Sequence, residues 1–136
     1  MSGPLYLLDT NICIYVLNGR APAAAKRLLE TPLDQIGTTA ATSAELRYGA
    51  ARSARPAENL ARVEAFLAPL EVVPFDDAAA RAFGPLKAEL ASKGELIGPM
   101  DLLIAATALA HGATVVTNNT REFRRIRGLA VEDWTS

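Results

Sequence analysis

Cysteine and histidine are almost absent from this sequence: in 136 residues there is one of each, Cys13 and His111. A lone cysteine excludes an internal disulfide framework and any cysteine-cluster metal site, and makes a reducing compartment, the cytoplasm, the expected location. Aromatic residues make up only 6% of the chain. Long hydrophobic runs are missing too. The longest, Leu102 to Ala110, is interrupted by Thr107 and falls far short of the roughly 20 residues a membrane-spanning helix needs, and no basic segment with an apolar stretch follows Met1. Nor is there an excess of either charge: 14 Lys and Arg against 15 Asp and Glu leave −1, which gives no global attraction to a polyanion. The phosphate loop G-x-x-x-x-G-K-[ST], the dinucleotide fingerprint G-x-G-x-x-G and the hydrolase elbow G-x-S-x-G are all lacking.

What remains is ordinary globular material, 50% apolar and 21% charged, of a length that suits one domain spanning residues 1–136. Leu5 to Leu8 is a short apolar run closed by Asp9, and apolar residues resume at Ile12; this predicts a buried strand turning into a helix. Ala23 to Glu30 predicts a second helix, with Pro22 in its first turn and Pro32 beyond its end. Ile36 to Ala40 offers a weak strand. A long alanine-rich helical segment opens at Thr42, breaks near Pro56 and continues to about Leu67. Leu70 to Phe75 reads as a strand and Ala78 to Lys93 as a helix, capped by Asp76 or Asp77 and ended by Gly94. Gly98-Pro99 starts a helix that Gly112 closes, Thr114 to Thr117 is a β-branched strand, and Leu129 to Glu132 a short last one. Strands alternating with helices imply an α/β fold: a short, mostly parallel sheet with helices on both faces.

Such a sheet binds ligands beyond the carboxyl ends of its strands. Asp9 ends the first strand there, and Asn118 and Asn119 follow a later one. Glu45 and Asp101 sit in the first turns of their predicted helices, which begin at the same edge. Each acid also has a purely structural role open to it: Asp9 as a helix cap, Thr42 with Glu45 as a T-x-x-E capping box, and Asp101 as a complement to a helix dipole. As a set they are harder to explain that way. Two carboxylates 4 Å apart repel by about 4 kcal/mol at an effective dielectric of 20, and no lysine or histidine lies near them in sequence. A divalent cation with all-oxygen ligands, Mg²⁺ or Mn²⁺, is the natural counter-charge, and such a cation suits phosphodiester hydrolysis. Local charge also departs from the average: Arg121, Arg124, Arg125 and Arg127 against Glu122 give the stretch from Asn119 to Arg127 a net +3. His111 and Cys13 lie in apolar helical surroundings and make a poor nucleophilic pair. Tyr15, Tyr48, Phe66 and Phe75 suit a core, whereas Phe123, among the arginines, is the aromatic placed to stack on a base.

The blocks L-L-D-T-N at Leu7 to Asn11, T-S-A-E-L-R-Y-G-A at Thr42 to Ala50, G-P-M-D-L-L-I-A-A at Gly98 to Ala106 and V-V-T-N-N-T-R-E-F at Val115 to Phe123, with G-L-A-V-E-D-W at Gly128 to Trp134, together resemble the PIN-domain ribonucleases, specifically the VapC-type toxins of bacterial toxin-antitoxin pairs. The resemblance covers essentially the whole chain in order. It implies a three-layer α/β/α PIN-like fold and metal-dependent endoribonuclease activity, with a structured RNA such as tRNA as the substrate. Asp9, Glu45, Asp101 and Asn119 would form the catalytic set. Asp9 and Asp101 would hold Mg²⁺ or Mn²⁺, and Glu45 would bind metal or steer the attacking water. Thr10, Asn11, Thr42 and Thr117 would orient the acids or water, and Arg121, Arg124 and Arg125 would contact the RNA backbone. It also implies a homodimer and a VapB-type antitoxin whose tail occupies the acidic groove. Leu46, Ala50, Leu60, Val63 and Leu67 would supply apolar surface for these partners. Two other readings stand beside it: a catalytically silent PIN-like binding module, since Asn119 removes one acid, and a phosphate-transferring α/β domain, which would need a lysine at a later strand end.

Overall fold

The structure is a computed structural model, described here for residues 3–135. Five parallel strands form one sheet in the order β3-β2-β1-β4-β5, with β1 at Tyr6–Leu8, β2 at Ile36–Thr39, β3 at Glu71–Val73, β4 at Thr114–Val116 and β5 at Val131–Glu132. The central strand comes first in sequence. The chain then steps outward through β2 and β3 and crosses back to lay β4 and β5 on the other side. This makes the gap beyond the ends of β1 and β4 the topological switch point, where a parallel sheet opens a crevice.

The alternation of side chains along β1 and β4 builds the two layers. Leu7 and Val115 are register partners, as are Leu8 and Val116. The first pair joins a core with α5 (Asp77–Ser92), α6 (Pro99–His111) and Phe123 of α7 (Thr120–Phe123). The second pair faces α1 (Thr10–Leu17), α2 (Pro22–Glu30), α3 (Ala40–Ala51) and α4 (Pro56–Leu67). All four are fully buried, as strands covered on both faces require. Among the described residues, no helix is long and apolar enough to cross a membrane.

Close approach fixes one glycine. A Cβ at Gly37 of β2 would lie 2.7 Å from the Glu71 carbonyl oxygen and from Pro4 Cγ, so the sheet closes there only around a bare backbone. Of the two candidate caps of α5 it is Asp76 whose side chain accepts from the Ala79 N–H, with Asp77 already inside the helix, and Gly112 closes α6 in the left-handed conformation at φ 63°.

The sequence expectations need correction at several places. The helix α3 begins at Ala40 and is capped by Thr39, whose hydroxyl accepts from the Thr42 N–H at 3.2 Å; Thr42 is inside the helix, and the Thr42–Glu45 capping box does not form. Leu46, Ala50, Val63 and Leu67 are core residues between the sheet and the α3–α4 pair, and only Leu60 of that group is exposed. Exposed apolar surface lies instead at Leu29 and Leu33, on an apolar cleft of about 380 Å³ that α1, α2 and α4 share. Phe123 is fully buried and stacks on nothing from solvent, whereas Tyr48 stands in solvent.

Candidate active site

Asp9 sits at the switch point. As N-cap of α1 it accepts the Ile12 N–H on Oδ1 at 2.9 Å, and its Oδ2 accepts the Thr117 hydroxyl across the gap from β4 at 2.6 Å. Thr117 is itself held from two sides. Its N–H donates to the Glu132 carbonyl of β5, and its Oγ1 accepts the Asn119 N–H at 2.8 Å. The residue is 1% exposed, an unusual place for an acid, since burying a carboxylate costs several kcal/mol unless it finds partners. The cost shows in its titration. Burial pushes the Asp9 carboxyl from 3.8 up to about 6, against the lowering pull of Thr117 and Ile12 and with a further upward push from the charges of Glu45 and Asp133.

Asp101, in the first turn of α6, lies across the same opening. Burial raises it from 3.8 to about 6, followed by the charges of Asp9, Glu122 and Glu45 in that order. Glu45 comes from α3 and accepts the Thr10 hydroxyl on Oε1 at 2.5 Å; Thr10 Oγ1 also lies 3.3 Å from the Thr42 hydroxyl. A cleft of about 240 Å³ connects these parts, lined by Thr10, Asn11, Glu45, Gly98, Pro99, Met100 and Asp101. The structure therefore brings Asp9, Glu45 and Asp101 into one field of mutual repulsion, with Thr10, Thr42 and Thr117 as hydrogen-bonding supports and Asn11 on the cleft wall.

Asn119 is placed differently. Its backbone N–H anchors Thr117, its side chain makes no capping bond to α7 although it holds the cap position, and the acid of this segment whose charge reaches Asp101 is Glu122. Sequence reasoning counted Glu122 only as the lone negative charge of a basic turn. The missed signal was a one-turn helix from Thr120 to Phe123, which carries Glu122 in its first turn while Phe123 plugs into the core. The arginines divide as well. Arg121 and Arg124 project into solvent, while Arg125 Nη1 donates to the carbonyls of Leu96 at 3.2 Å and Glu95 at 3.4 Å, tying down the loop that leads into α6.

As posed, no three acidic, histidine or cysteine side chains among the described residues stand close enough together to ligate one ion. The chemistry of the donors nevertheless fits a hard divalent cation. All are oxygens, no cation figures among the charges acting on Asp9 or Asp101, and each carboxylate oxygen that already accepts one hydrogen bond keeps capacity for another. Cys13 offers no alternative chemistry: it is fully buried and burial drives its thiol well above the usual range, so it stays protonated and inert.

Comparison with known proteins identifies the family. The family model of the PIN domain matches residues 6–129. The chain is 42% identical over 130 residues to the tRNA(fMet)-specific endonuclease VapC of Shigella flexneri, which covers 96% of this chain and 98% of that protein. The crystal structure of DNA-bound VapBC from Salmonella typhimurium superposes with a TM-score of 0.91 at 42% identity, over 98% of this chain and 99% of that one. VapBC2 from Rickettsia felis, bound to a DNA fragment from its promoter, gives 0.88 at 40% identity, over 95% and 98%. Fold and likeness over nearly the full length agree: the chain belongs to the PIN-domain family, among its VapC-type members.

Proposed function

We propose that this protein is an endoribonuclease toxin that hydrolyses RNA phosphodiester bonds with the help of Mg²⁺ or Mn²⁺ and is silenced by a VapB-type antitoxin. The observation that carries the proposal is the buried Asp9, held by Thr117 at the mouth of the sheet and sharing its field with Glu45, Asp133 and Asp101, itself next to Glu122, without a neutralising side chain. Asp9 and Asp101 would hold the cation, with Glu122 brought up by side-chain rotation. Bound there, it would supply positive charge against the phosphate and acidify the attacking water.

The protein's own groups would do the rest. Thr117 and the Ile12 N–H hold Asp9 ionised and fixed in direction. Glu45, steadied by the Thr10 hydroxyl, accepts a proton from water aligned against the phosphorus. Asn119 would offer its amide to water or phosphate at the rim, and Thr42 and Asn11 would orient water and acids around it. Arg121 and Arg124 give the RNA backbone its positive contacts, which is how a chain of net charge −1 retains a polyanion; Arg125 would add a contact only with the N–H groups its loop carbonyls leave free.

The Shigella flexneri relative is named for tRNA(fMet), so that structured RNA is the substrate to try first. Salmonella typhimurium and Rickettsia felis relatives crystallised as VapBC complexes. On this chain an antitoxin tail carrying a basic group would occupy the acidic cleft, and the protein would work as a homodimer in the cytoplasm. The test is cleavage of initiator tRNA by antitoxin-free protein. Cutting in Mg²⁺ or Mn²⁺, lost with chelator and lost in Asp101→Asn with folding intact, is the expected result. Full activity in that variant would refute the assignment, and RNA binding without cleavage in the presence of metal would make the chain a silent binding module.

A further inference from the structure

Beside the acid cleft lies a second hollow, which meets the hydrolytic groups only at Glu45. It is open, about 330 Å³, and is lined by Ala44, Glu45, Tyr48 and Met100; it shares Glu45 and Met100 with the cleft that contains Asp101. Its floor is aromatic. Tyr48 is 68% exposed, unusual for one of only eight aromatic side chains in the protein, and the Arg52 guanidinium stands 5.5 Å from its ring centroid. Arg52 makes no ion pair among the described residues, whereas its helix neighbour Arg47 is spent on Glu64 at 2.6 Å. The ring is therefore mostly open to solvent, with a guanidinium that makes no ion pair among the described residues over one face.

From these observations the geometry points to Tyr48 as a stacking platform for an unpaired RNA base next to the scissile phosphate, with Arg52 contacting the backbone beyond it; this rests on the ribonuclease reading above. Three residues of helix separate Tyr48 from Glu45, about 4.5 Å along the axis, so both side chains line the same hollow. A phosphate attacked beside Glu45 leaves its neighbouring base, once unstacked, within reach of the phenol. Base–aromatic stacking is tolerant of base identity, and a guanidinium against the ring adds attraction for the polyanion. The site selects for a splayed, single-stranded nucleotide: a base held in a duplex cannot present its face to the ring.

The test measures binding of labelled single-stranded RNA, in Mg²⁺, to Asp101→Asn protein with and without substitutions at Tyr48, using a series of oligonucleotides in which successive nucleotides are abasic. Tyr48→Ala is expected to weaken binding about tenfold, Tyr48→Phe less than twofold, and Tyr48→Trp not at all. One abasic position should cost the Tyr48 protein a similar factor and cost Tyr48→Ala nothing. Equal binding by Tyr48 and Tyr48→Ala proteins overturns the platform while leaving the ribonuclease reading intact, provided protein with Asp101 restored still cuts RNA. A change of oligomeric state in Tyr48→Ala, seen by light scattering, also overturns it and assigns the ring to an interface between copies. Failure of protein with every native residue to bind or cut any RNA removes both.

Discussion

Two hydrogen bonds decide what Asp9 can do. Thr117→Val removes the hydroxyl donor to Oδ2, and a hydrogen bond to a charged group contributes about 1.5–3 kcal/mol. The variant should melt lower and cut RNA more slowly, with the Asp9 carboxyl titrating still higher than about 6, measurable by carbon-detected NMR titration. Both Asp9 and Asp101 hold their protons to higher pH than in the unfolded chain. Between about pH 4 and pH 6 the folded state therefore binds more protons than the unfolded one, and metal-free stability falls as pH rises through that window, then levels off. For Asp9 alone the rise from 3.8 to about 6 corresponds to about 3 kcal/mol. Added Mg²⁺ should offset that loss, so its thermal stabilisation should be larger at pH 7.5 than at pH 5, as scanning calorimetry at both pH values would show. An effect of equal size at both would mean that the cation does not meet these carboxylates.

At the scale of elements, helix starts aim the acids, so a cap far from the chemistry matters. Thr39→Ala deletes the hydroxyl that accepts from the Thr42 N–H at the head of α3, a loss of about 1 kcal/mol. Glu45 rides one turn further on, so activity should fall by more than stability alone explains, measured by cleavage rate well below the melting temperature. Arg125→Ala frees the loop carbonyls of Glu95 and Leu96 ahead of Asp101. Its cleavage defect should persist at saturating RNA, whereas loss of a simple backbone contact would vanish there. Legibility in the sequence also divides at this scale. Strand ends were readable because a continuous apolar run stopping at Asp9, or at Thr117, leaves little choice of edge. The start of α3 was not, because Thr39 and Thr42 both satisfy a cap pattern and only the end of β2 at Thr39 chooses between them. The helix α7 was missed because one turn shows no periodicity. That turn swaps the expected roles, burying Phe123 and giving Glu122 to the acidic field.

For the molecule as a whole, the order β3-β2-β1-β4-β5 is the device that makes a site from remote residues. By crossing back after β3, the chain sets Thr117 beside Asp9 across a separation of 108 positions, and the second turn of α3 and the first turn of α6 bring Glu45 and Asp101 to the same opening. The α/β layering was readable from alternating elements, but which leucines face the sheet was not: Leu46, Val63 and Leu67 looked like spare apolar surface until α3 and α4 were seen to pack as a pair over β1 and β2. Gly37 is the global constraint on that sheet. Gly37→Ala would force a methyl into the Glu71 carbonyl and Pro4, and overpacking of this kind costs about 1–3 kcal/mol, enough to lower the melting temperature with little change in activity per folded molecule.

The claim on which the rest depends is that these carboxylates share one divalent cation. Mn²⁺ binding to antitoxin-free protein at pH 7.5, followed by electron paramagnetic resonance, tests it most directly. Binding in the native sequence should weaken at least tenfold in both Asp9→Asn and Asp101→Asn while each variant stays folded. Unchanged Mn²⁺ affinity in either variant would contradict it.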